Sequence, residues 1–252
     1  MALQLILGNS GAGKSHYIFE QIIKESETCP DRQFLVIVPE QFTMQTQKDL
    51  VTMHPRRGIM NIDVLSFERL AHRVFDEVGG EHRKILEDTG KNLILRRLAE
   101  EKKEELTLLG ANMKKLGYIS EIKSLLSEFA QYRVSSKQLS EMMERNRNNP
   151  QLYLKLKDMK IIYDSFQDYL EGTYLTAEEL LGALEQTVDQ SQCVKGSVIV
   201  LDGYTGFTPV QLGLLQKLLT LAERVCVTLT MDGAEDPFAA GAEYQLFYMT
   251  KK

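Results

Sequence analysis

The chain has 252 residues, 43% hydrophobic and 26% charged, so it can bury a full core as one large or two small globular domains. Its net charge of −5 excludes a strong overall attraction to nucleic acid, and any DNA contact must be a local patch or be shared with a partner. Three scattered cysteines without a C-x-x-C pair argue against disulfides and zinc and fit a reducing, cytoplasmic compartment. No apolar run reaches membrane-spanning length, which predicts no membrane partner.

The beginning of the chain carries the strongest pattern. Residues 3–7 are a short apolar run with one polar interruption, typical of a buried strand. The next eight residues match G-x-x-x-x-G-K-[ST], and apolar residues at helical spacing follow them. These eight are Gly8, Asn9, Ser10, Gly11, Ala12, Gly13, Lys14 and Ser15. A strand, a glycine-rich turn and a helix in this order are the context of a phosphate-binding loop (P-loop), although an ordinary glycine-rich strand–helix turn is the alternative.

The residue types in this motif suit the binding of a nucleoside triphosphate. Gly8, Gly11 and Gly13 tolerate positive φ and let backbone N–H groups approach the phosphates closely. The helix that begins near Lys14 adds the positive end of its dipole. The Lys14 ammonium would reach the β and γ phosphates of ATP, and the Ser15 hydroxyl would ligate Mg²⁺. The sequence therefore predicts a nucleotide-binding site at residues 8–15.

The following segments predict an α/β fold that is interrupted by a purely helical stretch. Residues 34–38 and 61–65 are typical of further strands, a helix is expected over residues 40–50, and Ser66 caps another that ends at residues 79–80. Strands that alternate with helices indicate a parallel sheet of right-handed β-α-β units, here a P-loop (RecA-like) sheet. Between residues 81 and 192 only helical patterns occur.

The strand pattern returns near the end of the chain. Residues 197–201 and 225–230 are predicted strands, with a helix from Pro209 between them. We thus expect a P-loop α/β domain made of residues 1–80 and 193–252, with an inserted all-helical subdomain at 81–192. Residues 244–249 are typical of the start of another helix, so the pattern predicts a domain truncated at its C-terminus and a chain that is a fragment of a longer protein.

A second part of the site is predicted at Asp202, which directly follows the apolar strand at 197–201. P-loop enzymes place an acidic residue there to hold Mg²⁺. The alternative is an aspartate that only shapes the following turn. The next residue is Gly203, which cannot accept a proton from an attacking water, so ATP binding is better supported than hydrolysis and no catalytic residue is assigned.

Four segments in one order carry a resemblance to a known family: residues 8–15, 38–43, 63–67 and 202–211. Together they resemble the N-terminal helicase-like part of the AddB family, the B subunits of bacterial AddAB ATP-dependent helicase/deoxyribonucleases. Residues 202–211 are similar to the second helicase motif of superfamily 1 enzymes.

This resemblance implies a role in processing double-strand DNA breaks for recombinational repair. It implies an AddA-type partner subunit as the principal motor, and a 4Fe–4S cluster only in a C-terminal nuclease part that lies outside this chain. The candidate DNA contacts are Arg56, Arg57, Phe42 and Thr43, together with the two lysines at residues 114–115. Each of them is also explained as a surface or core residue.

Two other functions remain open at this stage. One is a DNA- and partner-binding recognition scaffold with a vestigial nucleotide site. The other is a P-loop small-molecule kinase, which would need an arginine-bearing lid and an acid to activate the acceptor. The predicted helical insertion shows no obvious arginine cluster of that kind, and the kinase is therefore ranked last.

Overall fold

A computed structural model describes residues 2–79, 83–110, 112 and 116–231, except for the side chain of Leu116. The chain divides into two compact units. The sheet unit consists of residues 1–80 and 183–252, and the helical unit of residues 81–182. The strand pattern predicted a return to the sheet unit at residue 193, whereas the division at residue 183 falls inside helix α8 (Ala177–Thr187).

A five-stranded parallel sheet forms the centre of the sheet unit, which confirms the predicted α/β class. Its strands, in spatial order, are β1 (Ala2–Gly8), β7 (Arg224–Thr230), β6 (Val198–Leu201), β2 (Phe34–Ile37) and β3 (Ile62–Leu65). All residues of β2 and β6 are fully buried, as is typical of central strands covered on both faces.

Helices connect these strands. Besides the end of α8, the described part of the sheet unit contains α1 (Lys14–Thr28), α2 (Thr43–Met53), α3 (Phe67–Val78) and α9 (Pro209–Leu221). Ser66 caps α3 as predicted, because its side chain accepts a hydrogen bond from the Arg69 N–H. The helix expected over residues 40–50 begins as a 3₁₀ turn, Glu40–Phe42, before α2.

The first strand is an edge strand of the sheet. Ile6 packs with the buried face of α1, in a cluster that includes Ile18, Ile22 and Val200. Because side chains alternate along a strand, the leucines at positions 3, 5 and 7 lie on the opposite face, and they are 52%, 51% and 50% exposed. The interpretation of residues 3–7 as a buried strand was wrong, since β1 pairs only with β7 within the described part of the chain.

The helical unit has a core of its own. It contains α4 (Asp88–Glu101), α5 (Leu116–Gln131), α6 (Ser136–Arg145), α7 (Pro150–Leu170) and the start of α8. The core cluster is centred on Leu95, Ile119 and Ile162. The unit is not entirely helical as predicted, because β4 (Lys84–Ile85) and β5 (Tyr174–Leu175) pair in parallel. No helix among the described residues is both long and apolar enough to cross a membrane.

Candidate functional site

The turn between β1 and α1 adopts a conformation that its glycines permit. Gly11 and Gly13 have φ values of 76° and 82°, in the left-handed region that favours glycine. Gly8 serves a different purpose: a Cβ there would lie 3.3 Å from the Cβ of Ala12. The Ala12 N–H donates to the carbonyl of Asn9 at 3.2 Å and closes the turn. Residues 8–13 thus form a tight loop that leads directly into the N-terminus of α1.

Lys14 lies over this loop. Its ammonium donates to the carbonyl oxygens of Gly8 and Asn9, at 2.9 and 2.8 Å. The Gly8 carbonyl also accepts from the Met231 N–H at 3.2 Å, which connects the loop to the residue after β7. An ammonium has three donors that rotate freely, so these contacts can be exchanged for an anion bound at the same loop.

Asp202 faces the first turn of α1. Its backbone N–H donates to the Ile37 carbonyl at 3.0 Å, so it continues the pairing of β6 with β2. Its side chain accepts a hydrogen bond from Ser15 Oγ at 3.0 Å, although the two residues are 187 positions apart. The structure thus brings together the two residues that the sequence analysis assigned to Mg²⁺. A carboxylate and a hydroxyl oxygen fit this ion, which prefers hard oxygen ligands.

Thr228 is a member of this group that the sequence analysis missed. It lies on β7, is 3% exposed, and donates a hydrogen bond from its hydroxyl to the same Asp202 oxygen that Ser15 contacts. A threonine within a strand is ordinary, because β-branched residues favour strands, and only the pairing of β7 with β6 shows its contact. Ser15 and Thr228 hold the carboxylate of Asp202 in one orientation.

Gly203, the residue after Asp202, has a φ of 79°. A Cβ at this position would lie 3.5 Å from Cδ of Pro39 and 3.6 Å from Cδ2 of Phe42. The backbone conformation therefore favours glycine at this position, and glycine has no acidic side chain. A larger side chain here would contact Pro39 and Phe42, which follow β2.

Phe67, Tyr204 and Phe207 have neighbouring rings, and we call these three residues, together with Phe42 beside Gly203, the aromatic cluster. The ring centroids of Phe67 and Tyr204 are 5.4 Å apart, and those of Tyr204 and Phe207 are 5.3 Å apart. Burial raises the pKa of the Tyr204 phenol, and the nearby Glu40 carboxylate raises it further. Phe42 is 47% exposed, so its own ring presents aromatic surface to solvent. Among these four residues, only Phe42 was predicted from the sequence as a candidate contact.

The other candidate DNA contacts are less well supported by their surroundings. Arg56 and Arg57 are exposed in the turn before β3. Thr43 is 6% exposed, and its hydroxyl donates to the Glu40 carbonyl at 2.9 Å, which is a structural contact. Residues 114–115 lie outside the described residues. The roles of all these residues stay predictions.

The fold and this arrangement define a class of protein: a parallel α/β protein whose glycine-rich turn faces an aspartate at the end of a central strand. The family is shown by comparison of sequences. A family model described as "ADDB, N-terminal" matches residues 5–252. The chain therefore belongs to the AddB N-terminal family, and the resemblance found in the sequence is confirmed.

Several curated relatives are named as the B subunit of an ATP-dependent helicase/deoxyribonuclease. That of Lachnoclostridium phytofermentans is 48% identical over 252 residues, covering 100% of this chain and 22% of the relative. That of Caldanaerobacter subterraneus is 35% identical over 100% of this chain and 21% of the relative. That of Clostridium kluyveri is 35% identical over 92% of this chain and 20% of the relative. The chain thus spans about a fifth of the length of these relatives.

Proposed function

We propose that this chain is the ATP-binding, helicase-like N-terminal region of a helicase/deoxyribonuclease subunit that processes double-strand DNA breaks for recombinational repair. The observation that carries the proposal is the contact between Ser15 and Asp202 beneath the glycine-rich loop. The names of the relatives support an assembly with a further subunit that acts on DNA, and in this proposal that subunit is of the AddA type. In this proposal the chain acts in the cytoplasm, and an iron–sulfur cluster belongs only to the C-terminal part of the full-length subunit.

In the proposed complex each residue has a defined task. The backbone N–H groups of residues 8–13 bind the phosphates of ATP, and the Lys14 ammonium exchanges its two carbonyl contacts for phosphate oxygens. Ser15 and Asp202 would hold Mg²⁺, which neutralises phosphate charge when bound. Thr228 keeps the Asp202 carboxylate oriented.

Binding without rapid hydrolysis follows from the surroundings of Asp202. Gly203 supplies no base for an attacking water. Glu40 is an acid near Tyr204, and its carboxylate forms an ion pair with Arg69 at 2.8 Å. We expect slow turnover or none in an ATPase assay of the isolated chain, and turnover would point to Glu40 as the base.

A titration with MgATP tests the nucleotide site. We expect MgATP to raise the melting temperature of the chain, because a ligand that binds only the folded state stabilises it. Lys14→Ala should abolish the rise, whereas Lys24→Ala, an exposed lysine on the same helix, should leave it intact. An equal rise in the Lys14 variant would contradict the role of Lys14.

The aromatic cluster favours a second function, the recognition of single-stranded DNA. The Phe42 ring, 47% exposed, is a surface on which a base can stack, and such stacking contributes about 1–3 kcal/mol per base. This second function does not require the chain to bind nucleotide. The chain would then be a scaffold that binds single-stranded DNA through Phe42 and also binds the partner subunit.

Recognition of single-stranded DNA through Phe42 predicts that loss of this ring weakens DNA binding. Phe42→Ala should weaken binding of a labelled single-stranded oligonucleotide by about tenfold, the equivalent of about 1.4 kcal/mol, in a fluorescence anisotropy titration. Met44→Ala is the control, because Met44 is 82% exposed and lies two positions further along the chain. Equal affinities of the two variants would contradict a stacking role for Phe42.

A further inference from the structure

The turn between α2 and β3 carries two arginines whose charges the described part of the chain does not balance. The sheet unit contains six arginines, and four of them form ion pairs with carboxylates of the same unit, namely Arg32, Arg69, Arg73 and Arg224. The other two, Arg56 and Arg57, are exposed, and their side chains contact no carboxylate among the described residues. Two adjacent unpaired arginines, in a unit that pairs all its others, indicate a partner outside the described part of the chain.

Hydrogen bonds hold this turn in one conformation. His54 is 8% exposed; its Nδ1 accepts a hydrogen bond from the Arg56 N–H at 3.2 Å, and its carbonyl accepts one from the Arg57 N–H at 2.9 Å. Arg57 is thereby kept at a φ of 52°, in the left-handed region that residues with a side chain adopt rarely. Directly after the turn, the Asn61 amide donates to three backbone carbonyls at 3.0–3.3 Å. The arginines are therefore on a preformed turn, and a preformed surface loses less conformational entropy when it binds.

The turn lies at the edge of the sheet opposite the candidate nucleotide site. All five strands are parallel, so their carboxyl ends share one edge and their amino ends share the other. The glycine-rich loop, Asp202 and Phe42 follow carboxyl ends, whereas residues 54–61 precede the amino end of β3. The four residues of β3 alone separate the two edges by about 10 Å. A molecule bound by the two arginines is thus neither the nucleotide nor a base stacked on Phe42.

Met60 indicates the chemistry of that molecule. It is 96% exposed, while its neighbour Ile59 packs against the core of the sheet unit. Arginine and methionine are both enriched in protein–protein interfaces, where apolar contacts accompany charged ones. Nucleic acid is bound by broader positive surfaces, and the net charge of −5 opposes its approach. Two unpaired cations beside a fully exposed methionine therefore fit an acidic protein surface that also offers an apolar contact.

We propose that Arg56, Arg57 and Met60 form a docking surface for an acidic face of the partner subunit. The two guanidinium groups pair with its carboxylates, to which arginine can donate two parallel hydrogen bonds, and Met60 supplies the apolar contact. The choice of the partner subunit rests on the proposed function, because it takes the chain as part of a helicase/deoxyribonuclease assembly. The unpaired charges and the preformed turn are properties of the chain itself.

Oxidative footprinting with hydroxyl radicals tests this surface without any substitution. The radicals convert exposed methionines to sulfoxide, and mass spectrometry measures the rate at each position. We expect Met60 to oxidise about tenfold more slowly in the complex of the full-length subunit with its partner than in the full-length subunit alone, because the centre of an interface is packed as densely as a protein interior. Met44 is the matched control: it is 82% exposed, lies at the opposite end of α2, and should change little.

Other patterns of oxidation overturn the proposal. Slow oxidation of Met60 already in the full-length subunit alone would show that the same chain covers the turn. Slowing by a single- or double-stranded oligonucleotide, but not by the partner subunit, would assign the turn to nucleic acid. Equal rates in all samples would show a free surface, and equal slowing of Met44 would show general shielding instead of a contact made by the turn.

Charge reversal tests the arginines themselves. In the full-length subunit, Arg56→Glu combined with Arg57→Asp should weaken binding of the partner subunit about tenfold or more, and the loss should be smaller at high salt, where charges are screened. Aspartate is chosen at position 57 because it tolerates the left-handed region better than most residues. Lys24→Glu combined with Lys137→Glu makes the same change of net charge at exposed positions and should leave the affinity unchanged.

The same titrations separate this inference from the proposed function. If the unaltered subunit binds the partner subunit and the arginine double variant binds it equally well, the docking surface is wrong and the proposed function stands. If the unaltered subunit does not bind the partner subunit, the proposed function fails, and this choice of partner fails with it. Equal melting temperatures of the two double variants exclude a loss of folding as the cause of weaker binding.

Discussion

At the scale of single residues, the position of one carboxylate depends on two hydroxyl groups. Asp202 is 7% exposed and accepts hydrogen bonds from Ser15 and Thr228. Ser15 is within the glycine-rich motif, but Thr228 comes from a strand with no motif of its own. A carboxylate that is already oriented loses less entropy when it faces a cation, and both hydroxyls should therefore affect nucleotide binding.

Removing the Thr228 hydroxyl should weaken the magnesium-dependent part of nucleotide affinity. Thr228→Val keeps the shape of the side chain but removes one of the two hydroxyl contacts that orient Asp202, so affinity for MgATP should fall, by at most about tenfold if the whole bond energy of about 1.5 kcal/mol is lost on binding. Isothermal titration with and without Mg²⁺ measures the effect. Thr230→Val, on the same strand, is the control. An equal loss of affinity in the absence of Mg²⁺ would argue against orientation of Asp202 as the cause.

A buried ion pair in the helical unit predicts a dependence of stability on pH. Lys91 is 4% exposed, and its ammonium lies 3.1 Å from the Glu178 carboxylate. Burial raises the pKa of Glu178, but hydrogen bonding from Ser127 and the Lys91 charge lower it, and the net pKa lies below the ordinary 4.5. A lowered pKa in the folded state adds stability above pH 4.5, and this stability is lost as the pH falls through the lower value.

Glu178→Gln should therefore reduce stability at neutral pH and flatten its decline below about pH 4.5. Urea unfolding followed by circular dichroism between pH 3 and pH 7, roughly the window set by an ordinary carboxyl pKa, measures both effects. Glu121→Gln, at an exposed glutamate of α5, is the matched control. The explanation fails if the Glu178→Gln variant keeps the same acid-dependent decline as the unaltered chain.

At the scale of elements, a side chain of one helix holds the loop that follows another. Asp158 on α7 is 0% exposed and accepts three backbone N–H groups, from Thr107 at 3.0 Å, Leu108 at 2.7 Å and Leu109 at 2.9 Å. These amides belong to the turn that follows α4. A buried carboxylate with three amide donors is well satisfied, and its loss would leave all three donors without their partner.

Asp158→Ala should destabilise the helical unit by about 3 kcal/mol or more, because hydrogen bonds to a charged group contribute about 1.5–3 kcal/mol each and their energies are not fully additive. The expected signature is local: faster hydrogen exchange at residues 107–109. Asp168→Ala, at an exposed position on the same helix, is the control. Unchanged exchange at residues 107–109 would show that other contacts hold this turn.

Local patterns predicted the elements better than their arrangement. The strand–turn–helix at residues 8–15 and the cap at Ser66 depend on neighbouring residues, so the sequence revealed them. Asp202 was also predictable, because it ends an apolar run. Thr228, Phe67 and Tyr204 were not assigned to the site, since their contacts arise from the strand order β1-β7-β6-β2-β3. The edge position of β1 was missed for the same reason: an apolar run looks alike at the centre and at the border of a sheet.

At the scale of the whole molecule, the two units have separate cores, and the predicted nucleotide contacts belong to one of them. Stabilisation by a ligand is greatest in the cooperative unit that contains its site. Bound MgATP should therefore slow hydrogen exchange in the described strands of the sheet unit and leave the core amides of the helical unit unchanged.

Exchange measured with and without MgATP checks this expectation, with residues 119–126 and 159–166 as reporters of the helical core. Equal slowing in both units would contradict it and would mean that they unfold as one cooperative body. The Lys14→Ala chain provides the background, since nucleotide should change neither unit in it.

The pairing of β1 with β7 also determines when the glycine-rich turn can reach its final surroundings during synthesis. Residue 2 lies opposite residue 224, so the first strand to leave the ribosome has no neighbour until nearly the last described strand has been translated. At about 5–20 residues per second, this interval is roughly ten to forty seconds. The nascent chain therefore carries an unpaired apolar N-terminus while the helical insertion is being made, and the glycine-rich turn can contact the residue after β7 only after that delay.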